Sequence, residues 1–409
     1  MSTLKVNTVL SADTPTVNIT DGLSVSGVST LSSGLKVGTA ATISANGNVT
    51  CGIITTTNIV NSTQLSNRNL IINGAMQVAQ RGDTASVTSG YGGADRFKFD
   101  RDGATAVTLK QGGSGVSPVS EGFSNCQHID ITTADTSMGS ANYNLLTTRL
   151  EGYNLQGIQK GTANARELTL SFYIKSTVTG TYIAELVDQS NSARHVNKAY
   201  TVSASNTWEH KVITFPADTT GTITSDHNRR LDINWWLGAG STYNSGTLQT
   251  SWGSDTDANR AVGQVNAVNS ASNDIMITGV QLEVGSVATP FEHRSYADEF
   301  LRCCRYYFFT NAQHFFIARG NNSDGFVGFV ETQVPLRASP SVTLTAGLRH
   351  WGIDSNSSST TTPTIPSFRA NQKGIRINQT GHSGVNDDCV MTVQTDGNDG
   401  QGLAFDSEL

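Results

Sequence analysis

Apolar and polar residues alternate with a period of two over much of the chain, the spacing that sends one face of an extended strand into a core and the other outward. Within Ala165 to Lys175 the apolar set is Leu168, Leu170, Phe172 and Ile174. Within Leu231 to Leu237 it is Leu231, Ile233, Trp235 and Leu237, which leaves Asp232, Asn234 and Trp236 on the opposite, outward face as a platform. Similar runs recur from Asn69 to Arg294, separated by turn residues at the roughly 8–12 residue spacing of a β-sandwich. One segment departs from this period. Ser295-Tyr-Ala-Asp298 has the form of a capping box, and Tyr296, Phe300 and Cys304, widened by Leu301, fall on one face of the short helix it predicts.

The N-terminal pattern is thinner. From Ile19 to Ser66 the only charged residues are Asp21 and Lys36, and single Leu, Val and Ile residues alternate with Ser, Thr and Gly. One copy of such a strand buries too little surface to offset a backbone ordering cost of about 1–2 kcal/mol per residue. Partner chains must complete the core. Gly22 to Leu31 and Gly34 to Ile43 are imperfect repeats, which suits a multi-chain β-shaft whose units stack on one another. Thr55 to Asn67 is a polar connector. Beyond Tyr306 strand patterns return at Phe326 to Val330 and Pro335 to Leu344, followed by a Ser/Thr tract from Ser355 to Thr364 that has the composition of a surface loop. The expected fold is therefore all-β: an N-terminal trimeric β-shaft region over 1–67, a central jelly-roll β-sandwich over 68–300, a short connecting helix, and a small distal β-domain within 301–409.

Composition agrees and narrows the function. Only 15% of the 409 residues are charged, against about 25% in an average globular chain, and 40 are glycine. A formal charge of -6 offers no basic field for phosphate backbones, so nucleic acid is not an expected partner. No run of about 18 apolar residues predicts membrane insertion, and no basic and apolar leader opens the chain. Five cysteines, Cys51, Cys126, Cys303, Cys304 and Cys389, lack the spacing of a zinc site or a disulfide framework. They are expected to stay reduced, in a chain made in a cytoplasm. No short catalytic motif occurs, and the acidic pairs Asp298-Glu299 and Asp387-Asp388 are ordinary capping or solvated carboxylates. No catalytic residue, metal or cofactor is assigned.

Saccharide recognition asks for aromatic faces flanked by side chains that hydrogen-bond hydroxyl groups. Trp236 with Asp232 and Asn234 has that chemistry, and Tyr243 and Trp252 follow on loops where they could rim the same surface. Alternatively, Trp252 packs in the core and Trp236 covers a seam between subunits. Trp208 and Trp235 are expected in the core. A second aromatic group, Phe308, Phe309, Phe315, Phe316 and Trp351, lies in the distal segment with His314 and His350.

Two separated segments, Asn69 to Gly82 with Ala94-Asp-Arg-Phe97, and Gly279 to Tyr307, together resemble a bacteriophage tail-fibre module. Arg149-Leu-Glu-Gly152, Leu168 to Ser176 and Asn206 to Pro216 are similar to strands of the carbohydrate-binding-module jelly roll carried by such fibres, and Met1 to Thr8 is similar to fibre starts in marine phages and cyanophages. The resemblance implies a homotrimeric adhesin in the virion tail. Its N-terminus would attach to other tail or baseplate proteins, and its β-domains would bind host surface polysaccharide or lipopolysaccharide. Specificity would fall to the distal tracts Gly320 to Asp324, Ser355 to Thr364 and Asp396 to Gly402. A capsid or baseplate decoration fibre, and a polysaccharide-depolymerising tailspike, are the alternative readings.

Overall fold

The computed structural model describes residues 35–37, 41–43, 49–51 and 66–409, except 113–115, 191–192, 311–313, 321–324, 345–346, 353–366, 372–373, 381–389 and 397–401. The chain divides into two units, Met1–Asn61 and Ser62–Leu409. In the first, Leu35–Val37, Ala41–Ile43 and Val49–Cys51 form a three-stranded antiparallel sheet. The Gly22 repeat, residues 55–65 of the connector and most of the three distal tracts lie outside the described residues.

The second unit is built on two antiparallel sheets whose apolar faces meet. In spatial order the six-stranded sheet runs Glu209–Phe215, Leu168–Ser176, Asp274–Val284, Cys126–Thr133, Ala106–Gly112, Thr84–Val87. The seven-stranded sheet runs Gly253–Ser254, Arg194–Val202, Gly180–Asp188, Arg229–Ala239, Tyr143–Glu151, Lys98–Asp102, Gly90–Tyr91. Leu168, Leu170, Phe172 and Ile174 from one sheet and Leu231, Ile233, Trp235 and Leu237 from the other share one core, as their alternation predicts. Trp235 meets Phe172 edge-on across it, with ring centroids 5.7 Å apart.

The two segments that carry the tail-fibre resemblance meet in space. The Asn69 side chain accepts from the amides of Ile71 (2.9 Å) and Leu282 (3.1 Å) and donates to the Val280 carbonyl (3.0 Å). The Asn73 side chain ties Val78 to Asp95, while its own amide donates to Glu299 at 2.7 Å. Gly74 sits so close to this seam that a Cβ would lie 2.1 Å from the Val280 carbonyl oxygen. Glu299 belongs to the helix Tyr296–Cys304, which Ser295 caps by accepting the Asp298 amide at 3.2 Å. The helix buries Glu299, Cys303 and Cys304, whereas Tyr296 (58%) and Leu301 (40%) are exposed. The expected apolar face is thus turned, because Glu299 must point inward to take the Asn73 amide and the Arg294 guanidinium.

Beyond the helix, Tyr307–Thr310, Leu403–Asp406 and Ser341–Leu344 form a three-stranded sheet. A six-stranded one runs Gly347–Gly352, Val390–Asp396, Phe315–Gly320, Gly325–Glu331, Gly374–Thr380, Ser367–Asn371. Phe308, Phe316, Phe326, Met391 and Phe405 belong to their core, while Phe315 (57%), Ile317 (73%), Phe329 (50%) and Val390 (54%) are exposed. Arg305 pairs with Glu151 of the sandwich through two contacts of 2.9 Å, and Arg81 reaches Asp406 at 3.1 Å. Both sets of sheets therefore lie in one compact unit. Cys126, Cys303 and Cys304 are buried free thiols, and among the described residues no helix is long and apolar enough to cross a membrane.

Candidate functional site

The outer face of the seven-stranded sheet carries rows of polar residues set by strand register. Trp236 lies opposite Leu145, which lies opposite Asp100; Asn234 is flanked by Thr147 and Glu185; Asp232 is flanked by Arg149 and Val187. Polar side chains facing away from a core are ordinarily solvated, yet Asp232, Asn234, Thr147 and Glu185 are at most 4% exposed. What covers part of this face is the long connection after Arg229–Ala239. Its short helix Ser241–Asn244 supplies Tyr243, Arg260 follows the helical turn Asp257–Asn259, and Gln264 accepts the Ile183 amide at 2.8 Å.

Between this cover and the sheet is a cavity of about 310 Å³. Trp236, Tyr143 and Tyr243 line it as aromatic groups, with Asp100, Arg149, Gln189, Arg229, Asp232, Asn234 and Arg260 as polar ones. Tyr243 packs on Trp236 (5.4 Å between rings) and edge-on against Tyr143 (5.8 Å), and the Arg260 guanidinium lies 5.4 Å from the centre of the Trp236 ring.

Ion pairs fix the polar lining. Arg260 clamps Glu185 with contacts of 2.7 and 3.0 Å, and Asn234 donates to the same carboxylate at 2.8 Å. Burial would raise the Glu185 carboxyl, but Arg260 and Asn234 outweigh it and hold the group below its ordinary range. Asp232 accepts from Arg229 Nε at 2.7 Å and from Gln189 at 2.8 Å. Asp100 is shared by Lys98 (2.9 Å), Ser89 (3.0 Å) and Arg149 (3.2 Å), which overcome its burial and lower its pKa. Burial raises the Tyr143 and Tyr243 phenols, assisted by Asp100 and Asp257 respectively, so both are neutral donors at neutral pH. Three polar atoms here find no partner among the described residues: the Trp236 indole nitrogen, the Thr147 hydroxyl and Arg149 Nε. Preoriented amides, guanidinium groups and phenols beside aromatic rings suit capture of a polyhydroxylated ring.

Asp232, Asn234, Trp236 and Tyr243 thus line one cavity. Trp236 is not an open platform, for at 1% exposure it lies beneath Tyr243 and Arg260 in a small cluster with Leu145, Ile183 and Ala261. Trp252 does not rim this surface; it packs half-buried against the main core, donates to the Pro216 carbonyl at 2.8 Å and lies under the Lys160 ammonium. Trp208 is half-buried rather than core, because its indole N–H reaches the Val116 carbonyl at 3.0 Å. Tyr143, Arg149, Gln189, Arg229 and Arg260 were not anticipated. The alternation Tyr143, Leu145, Thr147, Arg149 held the signal for two of them; Arg260, carried by a connection without strand period, left none.

No protein-family model and no curated protein matches the chain. Among solved structures it is similar to the enzymatically active domain of bacteriophage CBA120 tailspike protein 4, at 15% identity and a TM-score of 0.29, covering 53% of this chain and only 21% of that one. It is similar to a family 4 carbohydrate-binding module at 12% identity and a TM-score of 0.27, covering 52% of this chain and 97% of the module. A third is the family 11 carbohydrate-binding module from Clostridium thermocellum, solved with a β-1,3-1,4-mixed-linked tetrasaccharide, at 14% identity and a TM-score of 0.26 over 50% of this chain and 98% of the module.

Proposed function

We propose that the protein is a non-catalytic adhesin of a phage tail fibre, homotrimeric, which holds a saccharide of the host surface in the cavity over its seven-stranded sheet. The observation that carries this reading is the cavity itself: three aromatic rings beside amide, guanidinium and carboxylate groups locked in position by one another. Such a lining offers the half-buried Tyr143 and Tyr243 rings to the C–H face of a pyranose and bonds its hydroxyls without paying again to order its own side chains. Its volume of about 310 Å³ is of the size that encloses a small ligand or the end of a longer chain. Binding rather than hydrolysis is favoured because Asp100 and Asp232 are both engaged by cations, Arg149 and Arg229, which fix them in place beside the sheet.

The trimeric, tail-borne part of the reading is supported by the thinly apolar N-terminal pattern and by the outward Phe315, Ile317, Phe329 and Val390. Virion attachment through the N-terminal region belongs to the same reading, and no cofactor is required.

Calorimetric titration of the full chain with a panel of soluble hexasaccharides (β-1,4- and β-1,3-glucan, α-1,4-glucan, mannan and xylan) tests it. At least one should bind, and Gln189→Ala and Tyr243→Ala should each weaken it about tenfold, worth ~1.4 kcal/mol. Binding unchanged in both variants, or no binding across the panel, overturns the reading.

A further inference from the structure

A second hollow lies on the outer face of the other sheet. Tyr173 and His210 are direct cross-strand partners there, with ring centroids 4.6 Å apart. Phe123 arrives from the turn after Val119–Glu121, and Phe291 and His293 from the segment following Asp274–Val284. Phe123 is the hub: it meets Phe291 edge-on at 4.9 Å, Tyr173 at 5.4 Å and His293 at 5.4 Å. These rings surround a cavity of about 320 Å³.

The sheet is altered locally to make room. Pairing between Leu168–Ser176 and Asp274–Val284 passes from Ser171 opposite Gln281 to Tyr173 opposite Thr278, one extra residue on the second strand. Gly279 lies in that bulge at φ +60°, and a Cβ on it would fall 2.7 Å from Phe123 Cζ and 3.0 Å from the Tyr173 ring. Gly279 opens the second tail-fibre-like segment, which also carries Phe291 and His293. Within that segment Val280, Leu282 and Glu292 hold the Asn69 region, whereas Gly279, Phe291 and His293 line the hollow.

We infer that this hollow is a second saccharide site, for a neutral pyranose unit. Rings that merely packed together would close the space between them, as protein interiors do. Here the space stays open and polar groups ring it: exposed Glu121, whose carboxylate accepts from the Tyr173 hydroxyl at 3.3 Å, with His210, His293 and Ser171. Among the described residues no lysine or arginine lines the hollow, which disfavours an anion. Stacking faces with hydroxyl acceptors and donors remain. The ligand class follows the adhesin reading, but the site is separate, and two sites on opposite sheets of each chain would multiply avidity for a polysaccharide coat.

Full-length protein carrying ¹³Cε1-histidine, titrated by NMR with the same hexasaccharide panel to about 10 mM, well above a millimolar Kd, tests the inference. At least one probe should shift the His210 and His293 signals together. Tyr173→Ala should abolish the shifts with the other histidine signals in place, Glu121→Gln should weaken binding several-fold, and Tyr243→Ala, in the first cavity, should leave it unchanged. The inference is overturned if no probe shifts both signals, if the shifts survive Tyr173→Ala, or if Tyr243→Ala removes them. Shifts here without calorimetric sensitivity to Tyr243→Ala would instead remove the first cavity from the account and leave this site standing.

Discussion

Replacing Trp236 with alanine separates a buried cavity wall from an exposed platform. Trp236 is 1% exposed, and its ring meets Tyr243 and Arg260 at 5.4 Å. Truncating a buried aromatic to alanine costs about 3–5 kcal/mol in lost transfer and cavity terms, and that figure already contains an aromatic pair worth roughly 0.5–1.5 kcal/mol. With an unfolding entropy of about 2.1 cal/mol/K per residue, a unit spanning Ser62–Leu409 shifts by about 1.4 °C per kcal/mol, so Tm should fall by roughly 4–7 °C. Trp235→Ala, which opens the main core, should cost about the same. Urea unfolding of both variants beside the wild type measures this. If Trp236→Ala stays within about 0.5 kcal/mol of wild type while Trp235→Ala shows its full loss, the indole is not sealed beneath Tyr243 and Arg260.

Glu185→Gln should cost about 3–5 kcal/mol because it strands the Arg260 guanidinium, and urea unfolding that shows less than about 1 kcal/mol would mean the pair is solvated. Thermal stability should fall in two stages on acidification. His195 is fully buried and held below its ordinary 6.5, chiefly by burial, so its neutral-form stabilisation is present above pH 6.5 and lost as pH falls through the lower folded value. Glu185, held below 4.5, keeps its contribution above that pH and loses it as pH falls further, a stage that the burial-raised Asp95 partly opposes. A Tm flat from pH 7 to 3 would contradict both assignments, and His195→Gln should reduce the first stage. Light scattering should report three times the chain's 43.4 kDa, and removal of residues 1–66 should dissociate the trimer; a monodisperse monomer would sink the threefold reading.

Period-two alternation made the sandwich legible, because a strand's facing is decided by its own residues: Leu231, Ile233, Trp235 and Leu237 all entered the core. It placed Asp232, Asn234 and Trp236 on the same outer face, but not their depth. Depth depends on whether something else lies on that face, and here the connection from Gly240 to Gln264 does. Arg260 and Gln264 reach the sheet through a path with no periodicity, so nothing local announces them. The helix shows a similar limit. Its cap was readable from Ser295 and Asp298, which are neighbours in the chain. Its rotation was not, being set by Asn73 and Arg294 meeting Glu299. The Trp252 placement fails for the same reason: its partners, Pro216 and Lys160, come from distant segments.

The central claim is that the cavity over the seven-stranded sheet receives a saccharide, and the indole N–H signals report on it most directly. Trp235 and Trp236 are neighbours in the chain, both indoles lack a hydrogen-bond partner among the described residues, and they face opposite sides of one sheet. Titrating ¹⁵N-tryptophan-labelled protein with the hexasaccharide that binds in calorimetry should shift the Trp236 Nε1–H resonance as a hydroxyl fills the cavity, and leave Trp235 in place. A bound saccharide that moves neither signal, or moves both equally, would contradict the account.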